Sequence, residues 1–151
     1  VVLACVGSAS GLTAEAIRRG WGAAATAARD HGAANIVSAL PPSGGGPDTS
    51  TALAAAAEGA ILATYRFAAH WGAVRRAEPA PREIADLVFV GETEDGEAAI
   101  VRGTAAAAGV GLARDLVNEP ASTLDPEAMA EHARRVATEQ GLEIRVYGPA
   151  E

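Results

Sequence analysis

The chain has 151 residues, 49% hydrophobic but only 4% aromatic, with a mean hydropathy of +0.12. That is enough for one ordinary globular domain, and with Ala so abundant its core must be built from small side chains at close backbone approach. A net charge of −7 with pI near 4.9 argues against a nucleic-acid phosphate backbone as the main partner, and the twelve basic residues are all Arg, so any mechanism needing a lysine amine lies outside this chain.

Residues 1–6, VVLACV, read as a short strand that the run Gly7-Ser8-Ala9-Ser10-Gly11 breaks. Cys5 sits in this strand as a small buried hydrophobe. A single Cys cannot form an internal disulfide, and a reducing cytoplasm is the simplest setting. Thr13 caps a helix with Glu15 in its first turn, running to about Arg29. Residues 35–40 read as a second strand, followed by the Pro- and Gly-rich loop PPSGGGPDTS; Thr51 then opens a helix that continues to about Ala69.

Residues 69–83, AHWGAVRRAEPAPRE, have the prolines and mixed charge of a surface loop. A third strand spans 84–90 and ends in the acidic turn GETEDG. From about Glu97 to Asn118 the pattern is helical, although Gly103, Gly109 and Gly111 each cost stability unless something packs against them. After the Asn-Glu-Pro break, Asp125 caps a further helix with Pro126 in the first position and Glu127 beside the positive end of the dipole. Met129, Ala133 and Val136 mark its buried stripe, Gly141 ends it, and 142–147 alternate as a last strand. No uninterrupted apolar segment reaches the roughly 18 residues of a membrane span, and no signal peptide is visible; neither membrane nor nucleic acid is expected as a partner.

Strands alternating with helices indicate an α/β fold, a mixed but mostly parallel sheet flanked by helices. Both ends read as cut: the chain begins inside a strand without an initiator Met and stops soon after another strand.

Candidate chemical motifs are few. VGSASG could cradle a phosphate at a helix start, but its spacing is neither G-x-G-x-x-G nor a P-loop and no acidic ribose partner follows the second strand. A tight strand-to-helix connection is the simpler reading. Ser8 and Ser10 lack a nucleophile-elbow pattern. His31, His70 and His132 are too far apart to share a helix face, and His132 beside Glu131 reads as a solvated face. GETEDGE lacks the ligand spacing of a calcium loop. No residue is assigned a catalytic, cofactor-binding or metal-ligating role.

Three stretches remain distinctive: LTAEAIRRGWGAAATAA, EGAILATYRF and GLARDLVNEPASTLDPEAMAEHARR. They resemble the N-terminal half of the leucine aminopeptidase (cytosol aminopeptidase, leucyl aminopeptidase) family. Glu58, Gly59, Leu62, Tyr65 and Phe67 match that family's E-G-x-x-L-x-x-Y-x-F; Ala113 through Asn118, Pro120, Leu124, Pro126 and Glu127 match its A-R-D-L-V-N-x-P and following L-T-P-E. Ser122 stands where the family usually has a second Asn, and Asp125 where it has Thr, Asp and Thr both being good caps.

The resemblance implies a macro-domain-like N-terminal domain of a two-domain aminopeptidase, incomplete here. Residues 1–95 would belong to that domain, 96–119 to an interdomain bridging helix, and 120–151 to the first helix and strand of the catalytic domain. In such a cytoplasmic enzyme two divalent ions, Zn or Mn, bridge the water that attacks the scissile carbonyl of a peptide. Lysine, aspartate and glutamate ligands, a further lysine and an arginine belong to the C-terminal domain, and the whole is typically a hexamer. The chain alone is then expected to be inactive and to bind no metal, with the catalytic domain as its partner. Asn118, Pro120 and Asp125 would set the joint by ending one helix and capping the next. Two other readings stand beside this: an autonomous macro-like or nucleotide-binding module using the turn at 7–11, or an inactive structural subunit.

Overall fold

The computed structural model describes residues 1–41, 45–72 and 83–148. Most of the loop expected over 69–83, and part of that at 41–50, lies outside the described residues. Two compact units are present, Val1–Ala113 and Arg114–Glu151.

In the first unit, α1 spans Ala14–Asp30, β1 Asn35–Ala39, α2 Thr49–Thr64 and β2 Asp86–Val90. A long helix, α3, spans Gly96–Asn118 and passes through the boundary between the units. Thr13 caps α1 as expected, its hydroxyl accepting from the Ala16 N–H at 3.1 Å. The cap of α2 is Asp48 rather than a residue near Thr51: its carboxylate accepts from the Thr51 N–H at 2.9 Å and from the Thr51 hydroxyl at 2.7 Å, and these bonds hold Asp48 below its ordinary pKa.

Strands β1 and β2 pair in parallel, Val37 opposite Val88, with α2 in the crossover between them. One sheet face, Ile36, Ser38, Leu87 and Phe89, is half-buried; Phe89 packs against the core, and Trp21 of α1 donates its indole N–H to the Ser38 hydroxyl at 3.2 Å. The buried hydrophobic residues are Ala except for Leu12, Ile17 and Leu53 among the described residues, as the composition requires. Helix α2, apolar apart from Glu58 and the Thr and Ser residues at its ends, packs between its neighbours. Gly59 meets the α1 backbone at Arg18, while Gly103 of α3 meets the α2 backbone at Ala54. Gly103 therefore has the packing partner that its place in a helix demands.

Two expected strands do not form. Residues 1–6 have no regular structure; Val1, Leu3 and Cys5 are exposed, and only Val6 packs against the core. Cys5 is thus neither buried nor on a strand. Residues 142–147 are likewise irregular, with Leu142, Ile144 and Tyr147 exposed. β-branched composition yields a strand only where a partner completes the hydrogen-bond ladder, and neither segment has one among the described residues. Helix α2 also stops at Thr64, short of Ala69: the Thr64 hydroxyl donates to the Ala60 and Ile61 carbonyls, and Tyr65 turns extended.

In the second unit α4 spans Pro126–Gln140. The Asp125 carboxylate accepts from the Ala128 N–H at 2.8 Å, Pro126 is in the first turn, and Gly141 ends the helix at φ 66°, all as expected. The buried stripe is displaced: Met129 and Ala133 are exposed, Val136 is half-buried and Ala137 is buried. Ala137 faces the helix end, where its carbonyl also accepts the Leu142 N–H at 2.8 Å. Replacing Asp125 by Ala is expected to cost about 1 kcal/mol and Asp125→Asn almost nothing, since Asn caps equally well. Urea denaturation followed by helical circular dichroism measures both, and equal losses in the two variants would refute the cap.

Candidate functional site

The glycine-rich turn is closed upon itself. Gly7 has φ 91°, the segment Ala9–Gly11 forms one 3-10 turn, and the Ser8 and Ser10 hydroxyls bond each other at 3.0 Å. Helix α1 begins only at Ala14, with Thr13 already occupying its Ala16 N–H and Glu15 placing a carboxylate in its first turn. Hydrogen bonds from Arg18 and Arg19 hold Glu15 below its ordinary pKa, so it stays anionic. An anionic ligand at that helix start would meet negative charge and a donor already in use. The turn works as a connection.

The histidines stay apart. His31 is the C-cap of α1, the His70 ring lies 5.7 Å from that of Phe67, and His132, of intermediate exposure, has Nδ1 2.8 Å from Nη2 of the exposed Arg135. Among the described residues no three His, Cys, Asp or Glu side chains gather to hold a metal ion. The resemblance puts the family's metal centre in the C-terminal domain, and no chemical step is assigned to the described residues.

The residues of the two sequence patterns have structural work. Glu58 forms an ion pair with Arg18 across the α1–α2 interface at 2.9 Å, with side-chain exposures of 18% and 32%. Arg18 also reaches Glu15 at 2.5 Å. The Glu58 hydrogen bond is the main reason its guanidinium holds its proton above the ordinary range, opposed by burial and aided by Glu15. Gly59 lets the helices touch beside this pair, and Gly22 faces it on α1. Sequence reasoning missed Arg18, whose one signal was its place three residues after Glu15.

Leu62 and Tyr65 line a cavity of about 350 Å³ at the C-terminal ends of α1 and α2, with Arg29, Arg66, Glu83 and Ile84 also in its wall. A wider hollow of about 590 Å³ lies between residues 1–4 and β1, walled by Trp21, Ala25 and Ile36. In the second pattern, Asn118 is the last residue of α3. The Pro120 carbonyl accepts from the Thr123 N–H at 2.9 Å and the Leu124 N–H at 3.0 Å, and the Thr123 hydroxyl reaches Glu119 Oε2 at 2.9 Å. Thr123 thus closes the turn in which the family's second Asn is replaced by Ser122.

Residues 1–70 match the model of the cytosol aminopeptidase family, N-terminal domain. A probable cytosol aminopeptidase of Synechococcus sp. (strain JA-3-3Ab) is 34% identical over 161 aligned positions, covering 100% of this chain. The chain belongs to the cytosol aminopeptidase family. A second member, from Roseiflexus castenholzii, is 39% identical over 104 positions, 67% of this chain. Among solved structures, the bottromycin maturation enzyme BotP, in complex with Mn, superimposes with a TM-score of 0.78 at 32% identity over 97% of this chain. The chain spans less than a third of these proteins: 30% of the Synechococcus protein, 21% of the Roseiflexus protein and 29% of BotP. Residues 1–70 correspond to the N-terminal domain of that family.

Proposed function

We propose that this chain is the N-terminal part of a leucyl aminopeptidase, a dimetal exopeptidase that releases N-terminal amino acids from peptides, and that every catalytic residue lies outside it. The observation that carries the proposal is the match to less than a third of each relative by a chain without a single Lys, whereas the family's metal centre uses lysines. The two ions would be Zn or Mn, for which BotP, solved with Mn, is a precedent at 32% identity. Residues 1–95 would form the N-terminal domain, 96–119 the bridging helix, and 120–151 the entry to the catalytic domain, within a cytoplasmic homohexamer. The role of this chain is then architectural: it supplies a rigid helical layer and a capped turn that hand the chain on to the catalytic part.

A chimera tests this. Joined to the remaining length of the Roseiflexus protein, this chain should support metal-dependent release of leucine within about tenfold of that parent, a change of about 1.4 kcal/mol in the barrier. A chimera that folds and assembles by sedimentation yet turns over a thousandfold more slowly would overturn the proposal.

A further inference from the structure

The cavity at the carbonyl ends of α1 and α2 is chemically two-sided. Arg29 and Arg66 both line it. Arg29 spends Nε and Nη2 on Asp30 Oδ1, at 3.2 and 3.1 Å, which leaves Nη1. Arg66 lies with its guanidinium 4.7 Å from the centroid of the Trp71 ring, a cation–π contact that needs no carboxylate partner.

The same wall holds the opposite charge. Glu83 lines it too, and the last turn of α2, which holds no basic residue of its own, ends there at Thr64 and Tyr65. Ile61, Leu62 and Ile84 add an apolar wall. A volume of about 350 Å³ is at the small end of the roughly 300–1,000 Å³ of ligand pockets.

A small molecule that carries one anion, one cation and an aliphatic body matches all three features. We propose that this cavity takes a free α-amino acid with an aliphatic side chain, its carboxylate at Arg29 and Arg66 and its ammonium at Glu83 and the carbonyl end of α2. The choice of an amino acid among zwitterions rests on the aminopeptidase reading, in which such molecules are the released products. The site would then report product to the part of the protein that makes no catalytic contact.

Calorimetric titration of the full 151-residue chain with L-leucine is the test, with N-acetyl-leucine, which lacks the cation, and leucinamide, which lacks the carboxylate, as controls. Leucine should bind, and each analogue should bind at least about tenfold more weakly, as expected when a charge-assisted hydrogen bond is lost. Arg66→Gln and Glu83→Gln, each with an unchanged circular dichroism spectrum, should weaken leucine about tenfold. No leucine binding up to roughly 10 mM, equal binding of either analogue, or unaltered affinity in both variants would overturn the proposal. The analogue series needs no variant to fold, and none of these results depends on peptide hydrolysis, so the pocket and the aminopeptidase reading fail separately.

Discussion

Gly59→Val is expected to unfold the first unit or to destabilise it by at least about 3 kcal/mol, the upper end of ordinary overpacking. A Cβ at Gly59 would lie 2.7 Å from the Arg18 carbonyl carbon and 2.8 Å from its Cα, with the carbonyl oxygen nearer still. These are backbone atoms in the middle of α1, so no side chain can swing aside and the two helices must separate. Such a loss is a large share of a total stability of roughly 5–15 kcal/mol. Gly109→Ala is the control: nothing lies within 4 Å of its added Cβ, and inside a helix the change should stabilise by about 0.5–1 kcal/mol. Urea unfolding of both variants measures the contrast. A Gly59→Val chain as stable as the native one would mean that α1 and α2 do not touch there.

Removing the Glu58 carboxylate is the second large change. Glu58→Ala leaves Arg18, whose Nε is buried without a hydrogen-bond partner, to rely on Glu15 alone across from an apolar helix. Breaking a fully buried pair costs about 3–5 kcal/mol, while exposed pairs are worth about 0–1 kcal/mol. With exposures of 18% and 32%, this pair should lose about 2 kcal/mol after allowance for solvent screening. Because the cost comes mainly from a stranded charge, adding Arg18→Met to Glu58→Ala should recover at least half of it. Chemical denaturation of the single and double variants gives the coupling directly. A single variant within about 0.5 kcal/mol of the native chain, the scatter of ordinary surface substitutions, would show that the pair contributes nothing.

These two residues also mark the limit of what the sequence discloses. The start of α1, the start and end of α4, and both paired strands were legible, because Thr13, Asp125, Pro126 and Gly141 act on their own neighbours and the runs at β1 and β2 are β-branched between turn residues. The start of α2 was blurred by four capping residues in succession, Asp48 to Thr51, of which only Asp48 turned out to be the cap. Residues 1–6 and 142–147 misled because strand formation is non-local: composition proposes an edge, and only a partner makes it one. The stripe at Met129 and Ala133 failed for a related reason, since periodicity says which residues share a face and not which face is covered. As for the candidate site, the E-G pair was visible as a pattern, but its physical content, an ion pair and a backbone contact made by Arg18, joins residues distant in the chain. The cavity wall of Arg29, Arg66 and Glu83 is likewise assembled from three separate segments and had no signature in any one of them.

The most direct test of a non-catalytic role is the hydrolysis of leucine p-nitroanilide by purified chain whose intact mass equals that of the 151 residues, with zinc or manganese added and then removed by a chelator. The account predicts no release of p-nitroaniline above the metal-only background under any of these conditions. Metal-dependent turnover that the chelator abolishes would place a working metal centre within this chain and contradict it.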